Sequence, residues 1–159
     1  MRNYSKKNVK EGLIHQVQLQ YRIISQNSSS PMCNLVEMET SSNKNHILRV
    51  YMSDCLSPVL GDHLYGNRVQ EIMGTRLALG PVLADNLSTF QKIPVELLTR
   101  MQVKDSSSIP HCMHLSQITL AGFNKSEHLV LNAEAPSHFQ SACTLLGLAM
   151  DDQIKQLSS

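Results

Sequence analysis

The stretch Leu13–Ile24, LIHQVQLQYRII, sets Val17, Leu19, Tyr21 and Ile23 against Gln16, Gln18, Gln20 and Arg22 in strict alternation. A period of two is that of a half-buried strand. After the polar loop SQNSSSP, Ser25–Pro31, the alternation resumes from Leu35 to Thr40, with Val36, Met38 and Thr40 inward and Glu37 and Glu39 outward. Two such runs across a turn-rich loop predict an antiparallel pair.

Ser41, Ser42 and Asn43 then offer N-cap side chains, and His46–Asp54 contains no Gly or Pro, which predicts a short helix. Leu48, Tyr51, Met52 and Cys55 recur at three- and four-residue steps and are expected to face the core, while His46, Arg49 and Ser53 share another stripe. Gly61-Asp62 is a turn signal. Asn67–Ser88, broken by Gly74, Gly80 and Pro81, reads as loop with at most one short element. Ile93–Val103 reads as a helix with Pro94 in its first turn, followed by the linker DSSSIP. Cys112–Leu120 and His128–Ala133 read as strands around a hairpin loop, AGFNKSE. Pro136 opens a closing helix with Phe139, Cys143, Leu146 and Met150 at helical spacing. Strands in pairs with helices between them predict an α+β fold, a mostly antiparallel mixed sheet with flanking helices. The expected layout is a basic N-terminal segment at 1–11, a single body at 12–150 and a polar tail at 151–159.

A chain of 159 residues is the length of one domain and can bury about 70% of its unfolded surface. Aromatics are only 4% and Trp is absent, so Leu and the eight Met must fill the core. A formal net charge of +1 gives no bulk electrostatic argument for nucleic acid. Locally, Arg2, Lys6, Lys7 and Lys10 outweigh Glu11, a pattern that fits either a phosphate-contacting arm or a solvated tail. Cys33, Cys55, Cys112 and Cys143 form no CxxC pair, which argues against a disulfide framework or thiolate zinc site and for a reducing compartment. No apolar run approaches the ~20 residues of a membrane span, and MRNYSKKNVKEG has no h-region, so neither a span nor a targeting segment is expected in these residues.

His111 and His114 fall three apart on an expected strand, hence on opposite faces, where they cannot share an ion; no metal is expected. The serines lack a Gly-x-Ser-x-Gly elbow, no Gly-x-x-x-x-Gly-Lys loop is present, and the aromatics are too scattered for a stacking platform. What remains is Arg49, a fixed charge inside an apolar run. It can snorkel from the core, or pair with a local acid such as Asp54.

A resemblance adds a third possibility. Residues Ser42–Gly66 resemble the RluA-type RNA pseudouridine synthase family, whose Thr-Gly-x-x-His-Gln-x-Arg-x-His signature precedes His-Pro-Ile-x-Gly-Asp-x-x-Tyr-Gly. His46, Arg49, Pro58, Gly61, Asp62, Tyr65 and Gly66 occupy matching positions, whereas Ser42-Asn43, Ile47 and Tyr51 depart from the pattern. Met113-His114-Leu115 resembles the family's Leu-His-Ala strand, and Pro136 with Phe139 its Pro-x-x-Phe helix start. The resemblance runs from about Tyr4 to Met150 and implies the C-terminal half of a pseudouridine synthase catalytic domain.

By that resemblance the function is isomerisation of uridine in mitochondrial RNA, rRNA or mRNA, without a cofactor: the base is flipped, its glycosidic bond broken and the ring rejoined through carbon. Arg49 would be a supporting catalytic residue that keeps a catalytic aspartate ionised and oriented. His46, Lys44, Lys6, Lys7 and Lys10 would contact RNA. The family's Gly-Arg-Leu-Asp stretch, which carries that aspartate, does not occur in these residues, so the chain by itself is expected to be inactive. The alternative is a non-catalytic RNA-binding or interaction module, with the same lysines and Arg49 on phosphates.

Overall fold

In the computed structural model, which describes residues 6–11, 16–79, 90–124 and 127–150, the alternating runs pair as expected. A short helix, α1 (Lys6–Lys10), precedes β1 (Leu19–Gln26) and β2 (Asn34–Thr40), which form an antiparallel ladder with Tyr21 opposite Met38 and Ile23 opposite Val36. Glu37 and Glu39 are exposed, and Val36, Met38 and Thr40 half-buried. The expected start of the first strand at 13–15, the side chain of Lys6 and the tail at 151–159 lie outside the described residues.

The helix after β2 is α2 (Ile47–Asp54), and its faces differ from the sequence expectation. Cys55 is exposed, and Ser53, from the polar stripe, is the buried residue. The reason is pairing: Ser53 Oγ donates to the Tyr65 carbonyl at 3.1 Å, so a polar side chain is satisfied against the following turn. No side-chain cap forms at the entry to α2. Asn45 and His46 instead turn the chain through left-handed conformations, φ 56° and 55°, which cost of order 1–3 kcal/mol each and are found where surroundings over-determine them.

Asn67–Ser88, expected as loop, contains a hairpin of β3 (Val69–Ile72) and β4 (Thr75–Ala78); positions 80–88 lie outside the described residues. Met73 and Gly74 both take positive φ, as a two-residue hairpin turn demands. Its signature was hidden because Met replaces the usual Asn or Asp, and because seven of its eight strand positions are not buried.

Helix α3 (Val95–Arg100) follows Pro94, and then come β5 (Gln117–Asn124) and β6 (Glu127–Asn132), an antiparallel pair. The strand expected from Cys112 begins only at Gln117, because the Cys112 amide is spent on the Leu60 carbonyl at 2.8 Å rather than on a ladder. The last helix, α4 (Ser137–Leu146), ends at left-handed Gly147, leaving Met150 beyond it.

The fold is therefore α+β with wholly antiparallel pairing among the described residues, in three two-stranded ladders rather than one sheet. Leu97 and Met101 at α3, Ile109, and Ala142 and Leu146 of α4 form the core, with Leu60 and Cys112 packed against it. Asn27 ties the β1–β2 loop to α4: its Nδ2 donates to the Leu146 carbonyl, and its Oδ1 accepts from the Cys33 amide. Leu60, packed against this core, ties the next turn, Gly61–Gly66, to it. No described helix is long and apolar enough to cross a membrane.

Candidate functional site around Arg49

The turn Gly61–Gly66 is shaped by what its glycines exclude. Gly61 has φ +75°, and a Cβ there would lie 2.1 Å from the Pro110 carbonyl oxygen. At Gly66 a Cβ would meet the Gln91 side chain at 2.8 Å. Buried Gln91 fills the space between them and accepts the Gly61 amide on Oε1 at 2.9 Å. Nothing in the sequence pattern pointed to Gln91, which lies 30 residues from its partner.

Inside this turn Asp62 is fully buried, with no side-chain exposure. Its Oδ1 accepts the amides of Leu64 and Tyr65, and the Arg49 fork closes on both oxygens, Nη2 to Oδ1 at 2.6 Å and Nε to Oδ2 at 2.9 Å. Burial pushes the Asp62 carboxyl up, but the Arg49 fork and the two amides outweigh it and hold it below the usual carboxylate value. The same bond raises Arg49, which stays charged. The carboxylate holding Arg49 is thus Asp62 on the turn, not Asp54 on its own helix.

Tyr65 gathers the basic groups. Its hydroxyl lies 3.1 Å from His46 Nδ1, and the guanidiniums of Arg49 and Arg68 sit 5.0 and 4.6 Å from its ring centroid. Arg68 was not singled out by sequence reasoning; its only signal was a position two residues past Tyr-Gly. Behind the ion pair lie His63 and His111, whose Nε2 atoms are buried without a hydrogen-bond partner among the described residues. Burial, then the positive charge of Arg49, lowers the His111 pKa and favours its neutral form.

The structure therefore brings His46 and Arg49 together on Tyr65. Lys44 is exposed in the 3-10 turn before α2. Lys7 and Lys10 are exposed on α1, where Lys7 reaches Glu11 at 3.8 Å; no hydrogen bond or ion pair among the described residues joins α1 to the Arg49 turn. His114 does not face His111 across a metal: its Nε2 donates to the Ala133 carbonyl at 2.9 Å. Burial pushes the Cys112 thiol up to about 11, which leaves it protonated and unreactive at neutral pH. Among the described residues no group of three or more His, Cys, Asp or Glu is placed to hold a metal.

No protein-family model matches the chain. It is 30% identical over 149 residues to human mitochondrial mRNA pseudouridine synthase RPUSD3, covering 92% of this chain and 41% of that protein. It is 29% identical over 145 residues to the mitochondrial pseudouridylate synthase RPUSD4 of Rattus norvegicus, covering 87% and 33%. The solved structure of human RNA pseudouridylate synthase domain containing 4 superposes with a TM-score of 0.58 at 29% identity, over 83% of this chain and 43% of that one. The chain thus spans about two fifths of the length of the human protein it matches.

Proposed function

Because this chain is related to the mitochondrial pseudouridine synthases over about nine tenths of its length, we propose that it is part of an enzyme converting uridine to pseudouridine in mitochondrial RNA. The observation that carries the reading is the Arg49–Asp62 fork, in which a charged guanidinium is fixed at a half-buried site lined by Tyr65 and His46. A half-buried guanidinium supplies what uridine isomerisation asks of a positioning residue: it keeps a neighbouring carboxylate ionised and aimed at the flipped nucleotide.

Asp62 does not itself suit the reacting role. Its side chain is fully buried, and Arg49 and two backbone amides already occupy its oxygens. The reacting carboxylate in this proposal comes from polypeptide outside these 159 residues, and Arg49 offers it the edge of the guanidinium not committed to Asp62. Alone, the chain then binds RNA through His46 and Lys44, with Lys6, Lys7 and Lys10 as outlying contacts, and does not isomerise it.

Pseudouridine mapping of mitochondrial RNA, with and without the gene for this protein, tests the reading. Loss of pseudouridine at defined uridines is expected, and an unchanged map overturns it. A non-catalytic RNA-binding module is the second reading, favoured by the departures from the family signature at Ser42-Asn43, Ile47 and Tyr51. It predicts RNA crosslinking together with an unchanged map.

A further inference from the structure

The charges around Tyr65 do not balance. Two guanidiniums, of Arg49 and Arg68, lie against one ring at 5.0 and 4.6 Å. The carboxylate that touches this group is Asp62, and it is spent on Arg49 and on two backbone amides. Arg68 has no acidic partner among the described residues. Its backbone is fixed on both sides, since its amide donates to the Tyr65 carbonyl at 3.1 Å and its carbonyl accepts the Leu79 amide at 2.7 Å. Arg68 is half-buried, so its head is neither fully solvated nor free to wander.

A guanidinium over an aromatic ring is held by its charge on the ring face, leaving N–H groups free to donate, and its planar fork matches a phosphate. We infer that Arg68, held on the Tyr65 ring, is a seat for a backbone phosphate of the RNA strand that reaches Arg49. The inference rests on the RNA reading above and adds to it a residue and a contact. Tyr65 is then a shared platform: one guanidinium is neutralised by Asp62, and the other waits for the anion. His46, exposed and within hydrogen-bond distance of the Tyr65 hydroxyl, fixes the ring from the helix side.

The test is binding of a fluorescent oligouridylate to the 159-residue chain, followed by anisotropy between about 25 and about 200 mM KCl. Each single-strand phosphate contact contributes about 0.7 to the slope of log affinity against log salt. Arg68→Gln is expected to make the slope shallower by about 0.7, while Arg68→Lys keeps the slope and loses affinity because the fork is gone. Tyr65→Leu should weaken binding with little change in slope, since it removes the platform and not the charge. The control is Arg76→Gln, an exposed arginine lying 3.9 Å from Glu71, which is expected to leave the slope alone. A wild-type slope in Arg68→Gln, an equal loss in Arg76→Gln, or no binding at the lowest salt each overturns the inference. The pseudouridine map of mitochondrial RNA judges the enzymatic reading separately.

Discussion

Asp62 is the residue on which the Arg49 turn depends. Its depressed pKa makes the sign of the pH effect definite: the stabilisation is fully present above the unfolded carboxylate value of about 3.9 and is lost as pH falls through the lower folded value. Asp62→Asn removes the charge, keeps the shape and leaves Arg49 half-buried without its counter-ion. We expect a loss of about 3 kcal/mol at neutral pH, the lower end for a broken buried pair because Arg49 keeps 21% of its side chain in water. Urea unfolding at neutral and acid pH measures both points, and the variant should also lose part of the wild-type acid sensitivity. His111 adds a second window of the same sign. Half-buried, with its neutral form favoured, it binds fewer protons folded than unfolded, so stability should rise with pH from its lowered folded value to about 6.5.

The turn from Gly61 to Gly66 and the helix α2 act as one element. Gly61→Ala forces an L side chain into positive φ and onto the Pro110 carbonyl. A destabilisation above about 2 kcal/mol is expected by thermal unfolding, from the left-handed penalty and the clash together, whereas Gly74→Ala, which meets no neighbour, should cost only the backbone term. The sequence showed that a turn and a helix were here, and that Arg49 was odd. It did not show which way the helix faced. Leu48, Tyr51, Met52 and Cys55 form an apolar stripe, but burial is decided by satisfaction as well as by apolarity. Ser53 and Arg49 could turn toward the turn because Tyr65 and Asp62 meet them there. Asp62 was legible as part of Gly-Asp-x-x-Tyr-Gly, but not as the partner of Arg49, since thirteen residues separate them.

At the scale of the whole molecule, pairing was more legible than burial. The antiparallel pairing of β1 with β2 and of β5 with β6, and the closing helix, could be read from alternation and spacing, because those depend on local period, whereas the β3–β4 hairpin and the division into three ladders could not. The inward face of β1 could not. Tyr21 and Ile23, on the apolar face of the expected half-buried strand, are 60% and 58% exposed, while Val17 and Leu19 of the same run border a groove of about 410 Å³ with Ile47 and Tyr51 of α2. Alternation marks a face that is apolar, not what covers it. Tyr21→Ser combined with Ile23→Thr should therefore cost no more than about 1 kcal/mol in this chain, and should lower its binding of an apolar dye. A loss of several kcal/mol would mean that the face is already packed. The measurement nearest to the central claim is release of tritium from RNA labelled at carbon 5 of uridine, the position that becomes bonded to the ribose. It should be run on this chain and on a protein containing it at the length of its relatives. We expect no release from the 159 residues alone, release from the longer protein, none with Arg49→Ala and partial release with Arg49→Lys; undiminished release with Arg49→Ala would contradict the account.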